Sequence, residues 1–235
     1  MNNTQGWLNL YKPKNITSFK AINKIKKNFL INKIGHAGTL DPLAEGVLPI
    51  AIGSTTKLLK FISNQNKVYQ FTISWGKQTT TDDSEGEALF TSNIIPNLKD
   101  IISNLSEFSG FIEQVPPKAS AIKINGKRAY KLLREKKEFN VKARKVFVEY
   151  IKIIEHKKTE TTFEVECGKG FYIRSLARDF ANRLGTYGHI SALERLKVGK
   201  FDKESSILLD DLLKIRQTRK LIDFTKSSIS MLDDI

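Results

Sequence analysis

One carboxylate stands out for the backbone built around it. Asp41 lies in GHAGTLDPLAEGVLPIAIG, Gly35 to Gly53. Glycines there permit tight turns and close backbone approach. Pro42 fixes its own φ and biases Asp41 away from helical geometry. The carboxylate is therefore aimed by its neighbours, which suits a group that attacks a bound molecule or takes its proton. An aspartate that hydrogen-bonds its own turn accounts for the same pattern, so the loop alone leaves both readings open. GHAG lacks the Gly-Lys-Ser/Thr ending of a phosphate-binding loop.

A second constellation is CGKGFYIRSLARD, Cys167 to Asp179, where a strand turns through glycines into a helix. Arg174 at that junction can grip a carboxylate with two parallel hydrogen bonds and keep it ionised. A surface arginine at a helix start is the alternative, although helix starts disfavour cations. A third is Lys118–Lys145, with eleven basic and two acidic residues and with Tyr130, Phe139 and Phe147 in or beside it. Cations of this density contact phosphates, while the aromatics either stack on bases or turn inward. His36 sits in the glycine loop; His156 and His189 read as loop or surface residues. Three scattered histidines make no metal site. The single cysteine, Cys167, reads as a buried strand residue and points to a reducing compartment.

The elements that must position these groups emerge from pattern. Trp7–Pro13 alternates as a strand. Thr17 or Ser18 caps a helix whose Phe19, Ile22, Ile25, Phe29 and Leu30 share one face. Thr55 or Thr56 caps a short helix, KLLKFI. Lys67–Gly76 has strand composition, and KQTTTDDSEGEA reads as a loop. NLKDIISNLSEF predicts a helix with Leu98, Ile101, Ile102, Leu105 and Phe108 inward. RAYKLLRE reads as helical, and KVFVEYIKIIEH and TTFEVECG as a hairpin around KKTE. YIRSLARDFANRLG predicts a helix ended by Gly185. SALERLKVGKF reads as a turn of helix leading into a strand, and ILLDDLLKIRQTRKLIDF as a closing helix. With no repeats and no linker, one α+β domain with a mixed sheet is expected over residues 1–235.

Composition narrows the partner. The 235 residues carry 39 Lys and Arg against 25 Asp and Glu, a net charge of +14. Such a chain meets a polyanion. The longest apolar run, VLPIAI, is far short of the ~20 residues that span a bilayer, and the N-terminus lacks a signal-peptide core. A cytoplasmic protein with no membrane partner is expected.

Taken in order, LNLYKPKNITS, GHAGTLDPLAEGVLPIAIGSTTKLLKF, KVYQFTISWGKQTTTDDSEG, QVPPKASAIKINGKRAYKLLRE, CGKGFYIRSLARDFANRLG and HISALERLKVG resemble the motifs of the TruB-type tRNA pseudouridine synthases. The resemblance covers most of the chain. It implies the pseudouridine synthase fold, a largely antiparallel mixed sheet flanked by helices and loops, with an RNA-binding cleft across the sheet. It implies isomerisation of uridine-55 in the T-loop of tRNA, after the base is flipped from its stack. Asp41 falls on the catalytic aspartate, Tyr69 on the tyrosine that packs against the base and Arg174 on the arginine paired with the aspartate. His36, Tyr172, Leu193 and Lys12, with Lys123, Lys127 and Arg128 of the basic segment, fall on substrate-binding positions.

The reaction breaks the C1′–N1 bond, turns the uracil and joins C1′ to C5, so it calls for no cofactor and no metal. The implied partner is the tRNA T-arm, with a monomeric enzyme and no protein partner. A synthase acting on another RNA, or a tRNA-folding helper with secondary catalysis, stays open. The chain departs from the family at Thr79-Thr80-Thr81, before Asp82-Asp83, where one acidic site is displaced or lost. Family members continue into a small RNA-binding domain, often of PUA type. SSISMLDDI falls about where that domain would begin, so a catalytic core without it is expected, with residues 220–235 as its tail.

Overall fold

A computed structural model describes residues 5–215, Leu221, Thr225 and Lys226. In chain order the elements are β1 (Gly6–Lys12), α1 (Ser18–Asn28), β2 (Ile34–His36), β3 (Glu45–Ile52), α2 (Leu59–Asn64), β4 (Lys67–Trp75), β5 (Lys77–Thr79), β6 (Ala88–Thr91) and α3 (Leu98–Asn104). They continue as β7 (Gly110–Gln114), β8 (Lys123–Ile124), β9 (Lys127–Arg128), α4 (Ala129–Arg134), β10 (Arg144–His156), β11 (Glu160–Cys167) and α5 (Ile173–Arg183). The last are β12 (Gly188–Val198), β13 (Phe201–Asp202), β14 (Ile207–Leu208), α6 (Leu209–Lys214) and β15 (Thr225–Lys226). This is the expected α+β arrangement, a mixed and largely antiparallel sheet with flanking helices.

The chain forms two compact units. One comprises Met1–Tyr69 with Leu193–Ile235, the other Gln70–Ala192, so β4 and β12 lend residues to both. In the first, β1 pairs antiparallel with β3 (Trp7↔Ala51) and parallel with β14 (Leu10↔Ile207). β3 runs parallel to β12 (Glu194↔Glu45) and antiparallel to β2 (His36↔Ile50). Its seven apolar-rich residues from Gly46 on are all buried, as expected of a strand covered on both faces. Trp7, Ala37, Val47, Ala51, Ile62, Val198 and Phe201 form a core cluster.

In the second unit the strand order is β12, β4, β11, β10, β7. β4 is the strand that its composition indicated, and it alternates buried and half-buried residues from end to end. β10 and β11 form the expected hairpin, from Val148↔Cys167 to His156↔Thr161. An aromatic stack fills the interior: Phe71 lies 5.4 Å from Phe163, which meets Phe180 of α5 at 5.7 Å, and Trp75 reaches Phe180 at 6.1 Å. α5 ends at Gly185 with φ +70°, the left-handed closure that glycine supplies.

Several expectations are corrected. The buried stripe of α1 runs Ser18, Ile22, Ile25, Phe29, whereas Phe19 is 66% exposed. Leu30 is 79% exposed because α1 stops at Asn28 and Leu30 takes φ +52° beyond it. Ile101 alone of α3 is buried, since that helix makes only two turns and leaves Leu98 and Ile102 to solvent. Neither Thr55 nor Thr56 caps α2. Thr56 Oγ1 donates to Gly53 O within the 3₁₀ turn Gly53–Leu58 instead. The segment after β4 is not all loop, because β5 and β6 pair (Lys77↔Thr91). SALERLKV contains no helix. All of it belongs to β12, where pairing outweighs its weak strand propensity. Of the closing helix α6 is described, and most of the chain beyond α6, including nearly all of the 220–235 tail, lies outside the described residues.

Candidate active site

In the first unit the loop between β2 and β3 carries Asp41, which is half-buried. Its backbone is held along its length. Ala37 N–H donates to Pro49 O (2.9 Å), Ala44 N–H to Asp41 O (3.2 Å) and Asn15 N–H to Pro42 O (2.8 Å). Leu40 N–H donates to Ser18 Oγ (2.9 Å), and the same hydroxyl donates back to Leu40 O (3.1 Å). Arg195, 1% exposed, donates from Nη2 to Gly38 O (3.0 Å) and from Nε to Val47 O (2.7 Å). Gly46 has φ +109°, and a Cβ there would lie 2.7 Å from Arg195 N, so this loop exit demands glycine.

Lys12 is wholly buried and its ammonium donates to Pro13 O (2.9 Å) and Ile16 O (2.7 Å). These bonds are to the chain itself, and they shape the turn from which Asn15 reaches Pro42. Tyr69 on β4 is 9% exposed and Leu193 on β12 is 5% exposed. Burial lowers the pKa of His36, with Arg195's charge acting the same way and the Gly38 backbone opposing them.

In the second unit α5 carries Arg174, 4% exposed and so no surface arginine. Its Nη1 donates to Thr81 O (3.0 Å) and lies 3.5 Å from Asp83 Oδ2, while Nη2 donates to Ala119 O (3.2 Å). Arg178, one turn on, pairs with Asp82 Oδ2 (3.0 Å) and Asp179 Oδ1 (2.9 Å) and donates to Val115 O (2.7 Å). Asp83 accepts from Thr81 Oγ1 (2.5 Å) and Glu85 N–H (3.0 Å). Burial raises the pKa of Asp179 against the pull of Arg178. Tyr172 is fixed at the helix entry by Gln114, whose amide accepts from Tyr172 N–H (2.8 Å) and donates to Tyr172 O (3.1 Å). The acid pair after Thr79-Thr80-Thr81 thus ties the β5–β6 loop to α5. Sequence does not single out Arg178, and it marks the Asp82-Asp83 pair only as a departure from the family. RSLAR at helical spacing and the DD doublet are their only signals.

Lys123, Lys127 and Arg128 are exposed on the β8–β9 hairpin, whose Asn125-Gly126 turn has φ +48° and +81°. Tyr130, Phe139 and Phe147 are half-buried, with Phe147 against Phe111 at 5.0 Å. His189 is neither loop nor surface. It is 5% exposed on β12, with Nδ1 donating to Lys77 O (2.9 Å), and burial lowers its pKa. His156 ends β10, half-buried, 2.8 Å from Thr161 Oγ1. Cys167 is buried in β11 as expected. Among the described residues no His, Cys, Asp and Glu grouping could hold a metal ion, and no helix is long and apolar enough to cross a membrane.

Solved structures share this fold. The protein in the crystal structure of a Cbf5-Nop10-Gar1 complex matches with TM-score 0.77 and 28% identity, over 97% of this chain and 61% of that one. A structure of an H/ACA RNP bound to a substrate RNA matches with TM-score 0.69 and 27% identity, over 95% of this chain and 56% of that one. Two family profiles then match in succession: TruB family pseudouridylate synthase (N terminal domain) over residues 26–173, and tRNA pseudouridylate synthase B C-terminal domain over 174–230. The chain belongs to the TruB family of pseudouridylate synthases. Relatives named tRNA pseudouridine synthase B include that of Caulobacter vibrioides, 43% identical over 98% of this chain and 74% of its own length. Those of Brucella anthropi (47%) and Ehrlichia ruminantium (45%) each match 88% of this chain, over 64% and 71% of their own lengths.

Proposed function

We propose that this chain isomerises uridine to pseudouridine at position 55 in the T-loop of tRNA. The observation that carries the reading is Asp41 itself. A half-buried carboxylate sits on a loop whose flanking peptides are hydrogen-bonded at Leu40, Asp41 and Pro42, in a chain 43–47% identical to relatives named tRNA pseudouridine synthase B. A group that acts at one ribose or base atom gains its effect from such fixed orientation.

Asp41, Tyr69 and Arg174 form the proposed catalytic set. Asp41 acts at the ribose or the base, Tyr69 supplies the stacking ring, and Arg174 keeps the acid ionised. His36, Tyr172 and Leu193 are the proposed substrate positions, joined by exposed Lys123, Lys127 and Arg128 for phosphates, whereas Lys12, expected among them, is wholly buried and is proposed to act through the turn that it shapes beside Asp41. The glycosidic bond breaks at N1 and re-forms at C5, and the C5 proton leaves. Nothing in that balance needs a cofactor. Both compact units belong, in this reading, to one cytoplasmic catalytic domain that acts on tRNA as a monomer without a protein partner.

Loss of the C5 hydrogen gives the test. A tRNA transcript tritiated at uracil C5 should release tritium in the presence of the protein, up to one equivalent per tRNA. Absence of release from a transcript that binds the protein would overturn the proposal.

A further inference from the structure

We infer that Ser18 is a positioning residue for Asp41, and that its hydroxyl acts by clamping the Leu40 peptide. The inference rests on the catalytic reading of Asp41. Ser18 is 1% exposed at the start of α1, and Leu40 is 3% exposed. The hydroxyl accepts from Leu40 N–H at 2.9 Å and donates to Leu40 O at 3.1 Å. One side chain therefore satisfies both polar groups of the residue before Asp41.

A serine at a helix start ordinarily serves the helix. Here Thr17 does that work, its hydroxyl accepting from Lys20 N–H at 3.1 Å. Ser18 is released from capping and spends its hydrogen-bonding capacity on a residue 22 positions away.

The clamp has a counterpart on the other side of the acid. Asn15, at φ +62°, donates its N–H to Pro42 O at 2.8 Å. Lys12, through Pro13 O and Ile16 O, fixes the turn that places Asn15. Asp41 is thus held at Leu40 by Ser18, the first residue of α1, and at Pro42 by Asn15, from the short segment that joins β1 to α1. Losing the Ser18 hydroxyl frees rotation about the Leu40–Asp41 backbone and leaves the surface that meets RNA unchanged. Orientation of a reacting group acts on turnover, not on binding, and small displacements there cost large factors in rate.

The test is Ser18→Ala, compared with Asp41→Asn and wild type in tRNA turnover and in amide hydrogen exchange. The expected result is a kcat about tenfold lower or more, with KM for tRNA within about twofold. The Leu40 amide should exchange about tenfold faster or more, with the amides of β4 and β10 unchanged. Wild-type kcat in Ser18→Ala, unchanged Leu40 exchange, or a rise in exchange spread evenly over the molecule would each overturn the inference. If Asp41→Asn is inactive while Ser18→Ala keeps full kcat, the clamp alone fails. If Asp41→Asn retains wild-type turnover, the catalytic reading itself fails and takes the clamp with it.

Discussion

Gly46 and His189 are each fixed by their surroundings, one by backbone geometry and one by burial. Gly46 must be glycine, since φ is +109° and the Arg195 backbone occupies the space of a Cβ. Gly46→Ala should therefore lower unfolding free energy by more than about 2 kcal/mol in urea titrations. His189 is buried and neutral, with its pKa held below the ordinary 6.5. The unfolded chain then binds more protons than the folded one as pH falls past that value. The stability tied to His189 is complete above pH 6.5 and is lost on acidification toward its folded pKa. His36 shifts the same way. Between about pH 7 and about pH 5 the wild type should lose stability more steeply than His189→Gln, as urea midpoints will report. The loop residues were legible in the sequence because glycine and proline restrict the backbone wherever they occur. Arg195 and Ser18 were not, because the peptides they hold lie 157 and 22 positions away and no local pattern records them.

Among the elements, α5 has the widest reach within its unit. Arg174 and Arg178 on its face hold the β5–β6 loop through Asp83 and Asp82, and they hold Ala119 at the start of the basic segment and Val115 just before it. Arg178→Ala leaves the Asp82 carboxylate the Gln78 Nε2 hydrogen bond (3.0 Å) but takes away the Arg178 cation, at a residue 6% exposed and already at φ +59°. Because the Arg178 side chain keeps 17% exposure, the expected cost is about 3 kcal/mol, the low end for breaking a buried pair. Urea unfolding measures it. At this scale the sequence was most informative where a period was long and regular. β4 and β11 alternate from end to end, whereas β10 loses its alternation where its register shifts between Val148 and Tyr150, and α5 ends at a glycine. It misled where an element was short. α3 is two turns long and buries one side chain. The sequence also misled where pairing overrides local preference: the long strand β12 lies between β3 and β4, although SALERLKV does not favour extended backbone.

For the whole molecule, charge and family point the same way. A net charge of +14 predicts affinity for tRNA that rests on phosphate contacts, and the exposed Lys123, Lys127 and Arg128 are the residues proposed to make them. Raising monovalent salt from about 50 to about 200 mM should weaken tRNA binding about tenfold or more, as filter binding will show. An affinity flat across that range would remove the role given to the basic segment. The central claim is that Asp41 isomerises one uridine of the T-loop, and position-resolved mapping of pseudouridine in a tRNA transcript tests it most directly. Wild-type protein should convert uridine-55 and no other site, and Asp41→Asn should bind the transcript yet convert it about a thousandfold more slowly or not at all. Conversion at a different position, or wild-type conversion by Asp41→Asn, would contradict the account.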